Sequence, residues 1–158
     1  MKEIPLTKGK VAFVDVVDYD YLSQWKWYYG AKGYAVRTDY SGEKPQTILM
    51  HRIILQRCGF EFIQVDHRNH NTLDNRRKNL RPATKSDQQH NTRKRSDNTS
   101  GLKGVTKHKQ TGKWRARIMI RGKQKYLGSF RDKHEAAEVY EKAAKQYFGE
   151  FACLGECI

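Results

Sequence analysis

Hydrophobic and polar positions alternate from Trp114 to Arg121. Trp114, Ala116, Ile118 and Ile120 fall on one side of an extended chain, and Arg115, Arg117, Met119 and Arg121 on the other, because successive side chains of a strand point to opposite faces. Residues 103–107 and 123–130 read as two further strands, joined through turns at Thr111-Gly112 and Arg121-Gly122. The period then changes: Ala136, Tyr140, Ala143, Ala144 and Tyr147 recur at helical spacing. A helix over 133–148 is expected, with Asp132 as its N-cap and Gly149 just past its end. Its alanines let it lie close against the apolar side of the sheet, so the arginines face away from it.

The first 60 residues follow the strand pattern less regularly. Residues 10–14 and 34–38 read as short strands, and Ser41-Gly42 as a turn before a third at 47–50; a short helix starts at Met50. Six aromatics between Tyr19 and Tyr29 (Tyr19, Tyr21, Trp25, Trp27, Tyr28 and Tyr29) could stack on bases. In a small region with few leucines they are read as core, and His51 as a structural hydrogen-bonder. From 61 to 92 the chain is dense in Asp, His, Asn and Arg. Phe62-Ile63-Gln64-Val65 is an apolar approach into Asp66 and His67, and Thr84 with Asp87 three residues on fits a capping box for a helix beginning near Lys85. This stretch therefore reads as strand, loop, short strand and helix.

Residues 92–100 contain no apolar side chain and read as an exposed linker, whose Arg93-Lys94-Arg95 triplet could track a phosphate backbone or simply be solvated. The organisation expected is a β-rich region and polar core over 1–92, a linker over 93–100 and a sheet-and-helix domain over 101–158. The fold class is α+β, ending in a three-stranded antiparallel sheet packed on one helix.

Charge sharpens this picture. The net charge of +14 is concentrated late: nine lysines and arginines and no acidic residue lie between Lys103 and Lys125, while 126–158 hold six acidic residues against four basic ones. The sheet is thus a one-sided cationic surface suited to a polyanion. Without an apolar leader near Met1 or an 18-residue apolar run, secretion and membrane spanning are not expected, and a cytoplasmic location is. Cys58, Cys153 and Cys157 do not make a disulfide framework, and Cys153 and Cys157 lack the second chelating pair nearby that a structural zinc site needs. No long heptad points to an obligate protein partner, so a monomer or weak dimer is expected.

Asp66 and His67 carry the candidate chemistry. Cutting a phosphodiester requires a base to activate water and a cation to stabilise charge on the phosphate and the leaving oxygen. Neighbours on a strand point apart, which gives Asp66 a cation and His67 the water; an imidazole titrating near pH 6.5 suits general-base work. By residue types alone, a merely polar surface loop stands level with this reading.

Two resemblances add to it. Ser100-Gly101-Leu102-Lys103-Gly104-Val105, Gly112-Lys113-Trp114-Arg115-Ala116, Tyr126-Leu127-Gly128-Ser129-Phe130, Glu135-Ala136-Ala137 and Tyr140-Glu141-Lys142-Ala143-Ala144 resemble the ethylene-response-factor (Apetala-type) DNA-binding domain. That resemblance implies double-stranded DNA as partner, with the sheet in the major groove and contacts from Lys103, Thr106, His108, Arg115, Arg117, Met119, Gln124 and Tyr126. Several of these positions hold arginine or tryptophan in plant members, so their target sequence does not carry over.

Val65-Asp66-His67, Leu73-Asp74-Asn75-Arg76-Arg77 and Asn79-Leu80-Arg81-Pro82-Ala83-Thr84 are similar to the HNH motif of the ββα-metal fold, particularly of phage and intron-encoded homing endonucleases. Trp25-Lys26-Trp27, Gly33 to Arg37 and Met50-His51-Arg52 also look like the N-terminal part of those proteins. The resemblance implies His67 as general base, Asn79 as the residue that holds the loop and orients His67, and Asp66 as ligand of one divalent cation, Mg²⁺ first and Mn²⁺ or another ion second. The second ligand falls on Gln88, where the family has Asn or His, and His90 and Asn91 remain alternatives. Arg76 and Arg77 are read as phosphate braces. The function implied is metal-dependent DNA cleavage; the competing reading, which Gln88 favours, is a DNA-binding protein with a degenerate nuclease core.

Overall fold

The protein divides into two compact units, Met1–Thr84 and Lys85–Ile158. The computed structural model describes residues 1–61, 64–92, 94 and 96–154, without the Lys85 side chain. Phe62, Ile63, Arg93, Arg95 and Cys157, which figured in the sequence reading, lie outside the described residues.

In the first unit, β1 (Lys2–Pro5) and β2 (Val11–Val14) form an antiparallel pair, followed by α1 (Val16–Leu22). A three-stranded sheet, β3 (Tyr28–Tyr29), β4 (Ala35–Asp39) and β5 (Gln46–Leu49), leads into α2 (Met50–Arg57). The antiparallel pair β6 (Gln64–His67) and β7 (Leu80–Ala83) closes the unit. Ala12, Val14, Leu22, Met50 and Ile54 are its innermost side chains. The aromatic stretch joins them: Trp27 is buried and donates its indole N–H to the Leu22 carbonyl at 2.8 Å, and Tyr19, Tyr21, Trp25 and Tyr29 pack around the same core.

Helix α1 has inverted polarity, which is why periodicity did not reveal it. Val16 and Val17 are exposed, whereas Asp18 is completely buried. Its carboxylate takes both arms of Arg77, Oδ2 from Nε and Oδ1 from Nη2 at 2.7 Å each, and the Asp15 carboxylate accepts the Arg77 backbone N–H. Phe13 on β2 also exchanges backbone hydrogen bonds with Leu73 and Asn75. The polar loop between β6 and β7 is thereby tied to the start of the chain.

In the second unit, α3 (Lys85–His90) precedes β8 (Val105–Lys107), β9 (Trp114–Ile120) and β10 (Lys123–Phe130), an antiparallel sheet in the order β10-β9-β8. Helix α4 (Lys133–Phe148) packs Ala136, Tyr140, Ala143 and Ala144 against Val105, Ala116 and Ile118. Asp132 caps it, its Oδ1 accepting the N–H groups of His134 and Glu135. Two expectations change. Tyr147 leaves the apolar stripe, exposed at 41% with its hydroxyl accepting from Lys125 Nζ. The first strand starts at Val105 and not at 103, because Gly104 turns through a left-handed φ of 71° as the chain crosses the Tyr140 ring. The 92–100 stretch is built into turns in its described part, Asn98 accepting the Gly101 N–H and donating to the Leu102 carbonyl. No helix among the described residues is long and apolar enough to cross a membrane.

Candidate active site and nucleic-acid interface

β6 delivers Asp66 and His67 as buried neighbours, opposite Arg81 and Leu80 of β7. Opposite faces separate them, as extended backbone requires. Asp66 Oδ2 accepts from Arg81 Nε at 2.7 Å and lies 2.6 Å from Arg81 Nη2, an ion pair with both partners largely out of solvent. His67 Nε2 lies 3.3 Å from Asn75 Oδ1. Asn75 Nδ2 donates to the Leu73 carbonyl, which orients the amide so that its oxygen faces the ring. The imidazole is therefore the donor, and the neutral ring carries its lone pair on Nδ1.

Asn79 holds the loop. Its Oδ1 accepts the Asn69 N–H at 3.0 Å, its Nδ2 donates to the Asp74 carbonyl at 2.7 Å, and its own carbonyl accepts the Arg68 N–H. The ring contact that orients His67 comes from Asn75, which the sequence reading quoted without giving it a role. Arg81 was missed for a different reason: its pairing with Asp66 depends on the β6–β7 register, which a long polar loop conceals.

Two further rings surround His67. Tyr34 lies with its centroid 5.0 Å from that of His51 and 6.0 Å from that of His67, and His51 meets His67 edge-on at 5.2 Å. His51 was expected to form structural hydrogen bonds, yet its Nδ1 is buried with no partner among the described residues. Burial, with His67 and Arg52 nearby, pushes its pKa down to about 3. His67 is lowered too, by burial, against the opposing pull of Asn75, Asp66 and Asp74. A base works in its neutral form, and a lowered pKa keeps that form present further into acid. If His67 is the base of a hydrolytic reaction, the acidic limb of that reaction is expected below pH 6.5, measured as kcat/KM against pH on a duplex substrate; a limb above 6.5 contradicts that role.

Arg76 and Arg77 have partners close at hand. Arg76 grips Asp74 through Nε at 2.7 Å and Nη2 at 2.6 Å, and Asn69 adds a third bond to the same carboxylate. Arg77 is held by Asp18 as described above. As braces for phosphate, both would have to leave these carboxylates.

The donor set fits a hard, partly hydrated cation better than a closed metal cage. Asp66 is a buried carboxylate that Arg81 holds through Oδ2, Asp74 is bound through both oxygens by Arg76, and no group of three His, Cys, Asp or Glu side chains placed to hold a metal ion occurs among the described residues. Mg²⁺ is commonly held by one or two carboxylates plus substrate phosphate. Gln88, His90 and Asn91 stand on or just after α3 in the second unit.

On the sheet of that unit the expected outer face is assembled. Thr106 pairs with Arg115, Arg117 with Tyr126 and Met119 with Gln124, so six of the eight named positions share one surface. Arg117 Nη1 donates to Gln124 Oε1 at 3.3 Å, and Met119 and Tyr126 are more than half exposed. His108 lies in the following turn, accepting the Thr111 N–H. Lys103 points elsewhere, donating to the carbonyls of His90 and Thr92.

One unit thus carries a strand-loop-strand pair presenting Asp66 and His67, and the other a sheet that is basic on its outer face. A family model described as HNH endonuclease matches residues 61–90. An uncharacterized HNH endonuclease of Acanthamoeba polyphaga mimivirus is 32% identical over 145 residues, covering 92% of this chain and 74% of that protein. The chain belongs to the HNH endonuclease family. Two AP2-like ethylene-responsive transcription factors of Arabidopsis thaliana are 43% identical over 51 residues and 45% over 56, about a third of this chain and about a tenth of theirs; the C-terminal part is an AP2-type domain. No solved structure matches significantly.

Proposed function

We propose that the protein is a metal-dependent, homing-type DNA endonuclease with its nuclease core in 1–92 and its groove-reading domain in 101–158. The observation that carries this reading is the His67 ring, fixed by Asn75 with its lone pair on Nδ1, next to the buried carboxylate of Asp66. His67 takes a proton from the attacking water, Asn75 and Asn79 hold ring and loop, and Arg81 fixes Asp66 to present a carboxylate oxygen to the cation. When bound, the cation stabilises negative charge on the phosphate and the leaving oxygen. Asp66 is one ligand; Gln88 is the second on the family resemblance, with His90 and Asn91 as alternatives. Phosphodiester hydrolysis of this kind leaves 5′-phosphate and 3′-hydroxyl ends.

Supercoiled plasmid tests the proposal. Relaxation with Mg²⁺ or Mn²⁺, stopped by EDTA, is the expected result, and one core per chain predicts nicks before linear product. Plasmid left intact with every divalent ion tried, but shifted in a gel by bound protein, supports the second reading, a binding protein without catalysis; Gln88 in place of Asn or His is what favours it.

For the sheet, Arg117→Ala is expected to weaken binding to the preferred site by about 1–3 kcal/mol and to relax base preference locally, as loss of a bidentate base contact does. Competition binding against single-base variants of the site checks this. An equal loss on all sequences would reassign Arg117 to the phosphates.

A further inference from the structure

One groove of the first unit, about 540 Å³, is lined by three arginines, Arg37 from β4 and Arg52 and Arg57 from α2, with Tyr21, Thr47 and Gln56 among its walls. Nearby carboxylates do little to neutralise it. Arg37 Nη2 is 4.0 Å from Asp39, the outer limit of an ion pair. Arg57 Nε is 3.5 Å from an Asp18 oxygen, and both oxygens of that carboxylate are already bound by Arg77 at 2.7 Å. Arg52 is exposed and makes no ion pair among the described residues.

The guanidinium groups are also held in place. Arg37 lies over the Trp25 ring at 4.6 Å and Arg57 over the Tyr21 ring at 4.0 Å. Stacking fixes the plane of a guanidinium and leaves its edge donors for a ligand. Arg37 Nε is buried with no hydrogen-bond partner among the described residues, a donor whose desolvation is uncompensated until an acceptor arrives. Planar forks with a hydroxyl and an amide between them match phosphate oxygens, and the groove is far larger than one phosphate needs. Its position relates it to cleavage: α2 sends His51 against the His67 ring and its next residue, Arg52, into the groove.

We propose that this groove binds the sugar-phosphate backbone of the DNA substrate close to the point of cleavage, so that the first unit grips DNA on its own account. The inference rests on the nuclease reading, and it assigns to Arg37, Arg52 and Arg57 the role expected of Arg76 and Arg77, whose guanidiniums are closed by Asp74 and Asp18. Phosphate contacts release counterions, and each one contributes about 0.9 to the slope of log affinity against log salt on duplex DNA.

The test uses the full chain and a fluorescent DNA duplex in EDTA, with anisotropy titrations across a NaCl series. Arg52→Gln is expected to lower the slope by about 0.9 and Arg52→Gln/Arg57→Gln by about 1.8, equally on unrelated sequences. Lys10→Gln, an exposed charge outside the groove, leaves the slope unchanged. Thermal melts check folding; if the double variant is unstable, Arg52→Gln alone decides, since its side chain is exposed and makes no ion pair among the described residues. An unchanged slope for Arg52→Gln overturns the proposal, as does an equal drop for Lys10→Gln, which would mean diffuse surface charge. Binding is read without metal, so the two readings fail separately. A wild type that never cuts while Arg52→Gln loses its slope unit sinks only the nuclease, and a cutting enzyme with an unmoved slope sinks only the groove.

Discussion

His67→Ala is expected to slow single-turnover cleavage of a duplex by about 100- to 10,000-fold, the range that a positioned general base supplies. DNA affinity should hold, because the sheet of the second unit lies in a different compact unit. Asn75→Ala should fall between wild type and His67→Ala: the imidazole remains, but the Oδ1 that receives its Nε2 proton is gone. Removing the ring also opens space beside Tyr34 and His51, so a melting curve must accompany the rates. If both variants melt like the wild type and His67→Ala still cuts at its rate, the base is another residue. If only Asn75→Ala keeps full rate, the tautomer argument fails while the base survives.

Gly104→Ala should be the most damaging single methyl group in the second unit. An ideal Cβ at Gly104 would lie 2.1 and 2.2 Å from two atoms of the Tyr140 ring and 2.8 Å from the Arg117 carbonyl oxygen. Tyr140 is 6% exposed, and its pKa is pushed up to about 12, chiefly by burial. The ring is confined by packing, and the other obstacle is the backbone of the central strand, where Arg117 N donates to the Gly104 carbonyl. Overpacking of this kind typically costs about 1–3 kcal/mol, and forcing a side chain into a left-handed backbone adds roughly 1–2 kcal/mol. For a unit of this size, about 3 kcal/mol lowers the melting temperature by more than 10 °C. Calorimetry of the full chain would show the transition of the second unit falling with that of the first unmoved, and DNA binding would fail once the second unit melts. A change below about 1 kcal/mol would mean that Tyr140 yields.

The second unit was legible in the sequence to the level of faces, because sheet and helix each declare a period: alternation set Arg115, Arg117 and Met119 on the outer face, and the Apetala-type resemblance added Thr106, Gln124 and Tyr126, which the register places beside them. The site was half legible. Asp66 and His67 stand next to each other in the chain, so extended backbone separates their side chains automatically. What holds them comes from elsewhere: Asn75 across a loop, Arg81 from the facing strand, Tyr34 and His51 from other elements. Such contacts have no period. The destination of Arg77 was hidden for the same reason, since a buried aspartate on a helix that exposes two valines looks, in one dimension, like the wrong face.

Asp18 bears on how this nuclease can be rebuilt. The matched stretch, 61–90, looks like a cassette of thirty residues. Yet Arg77 closes on Asp18, its N–H is received by Asp15, and Leu73 and Asn75 are laced to Phe13. Grafted onto another scaffold without its first twenty residues, the cassette would carry a loose loop and an arginine bereft of its carboxylate. A chimera that is to cut should inherit 1–92 whole, so that Gln88, His90 and Asn91 come with the loop and its anchors.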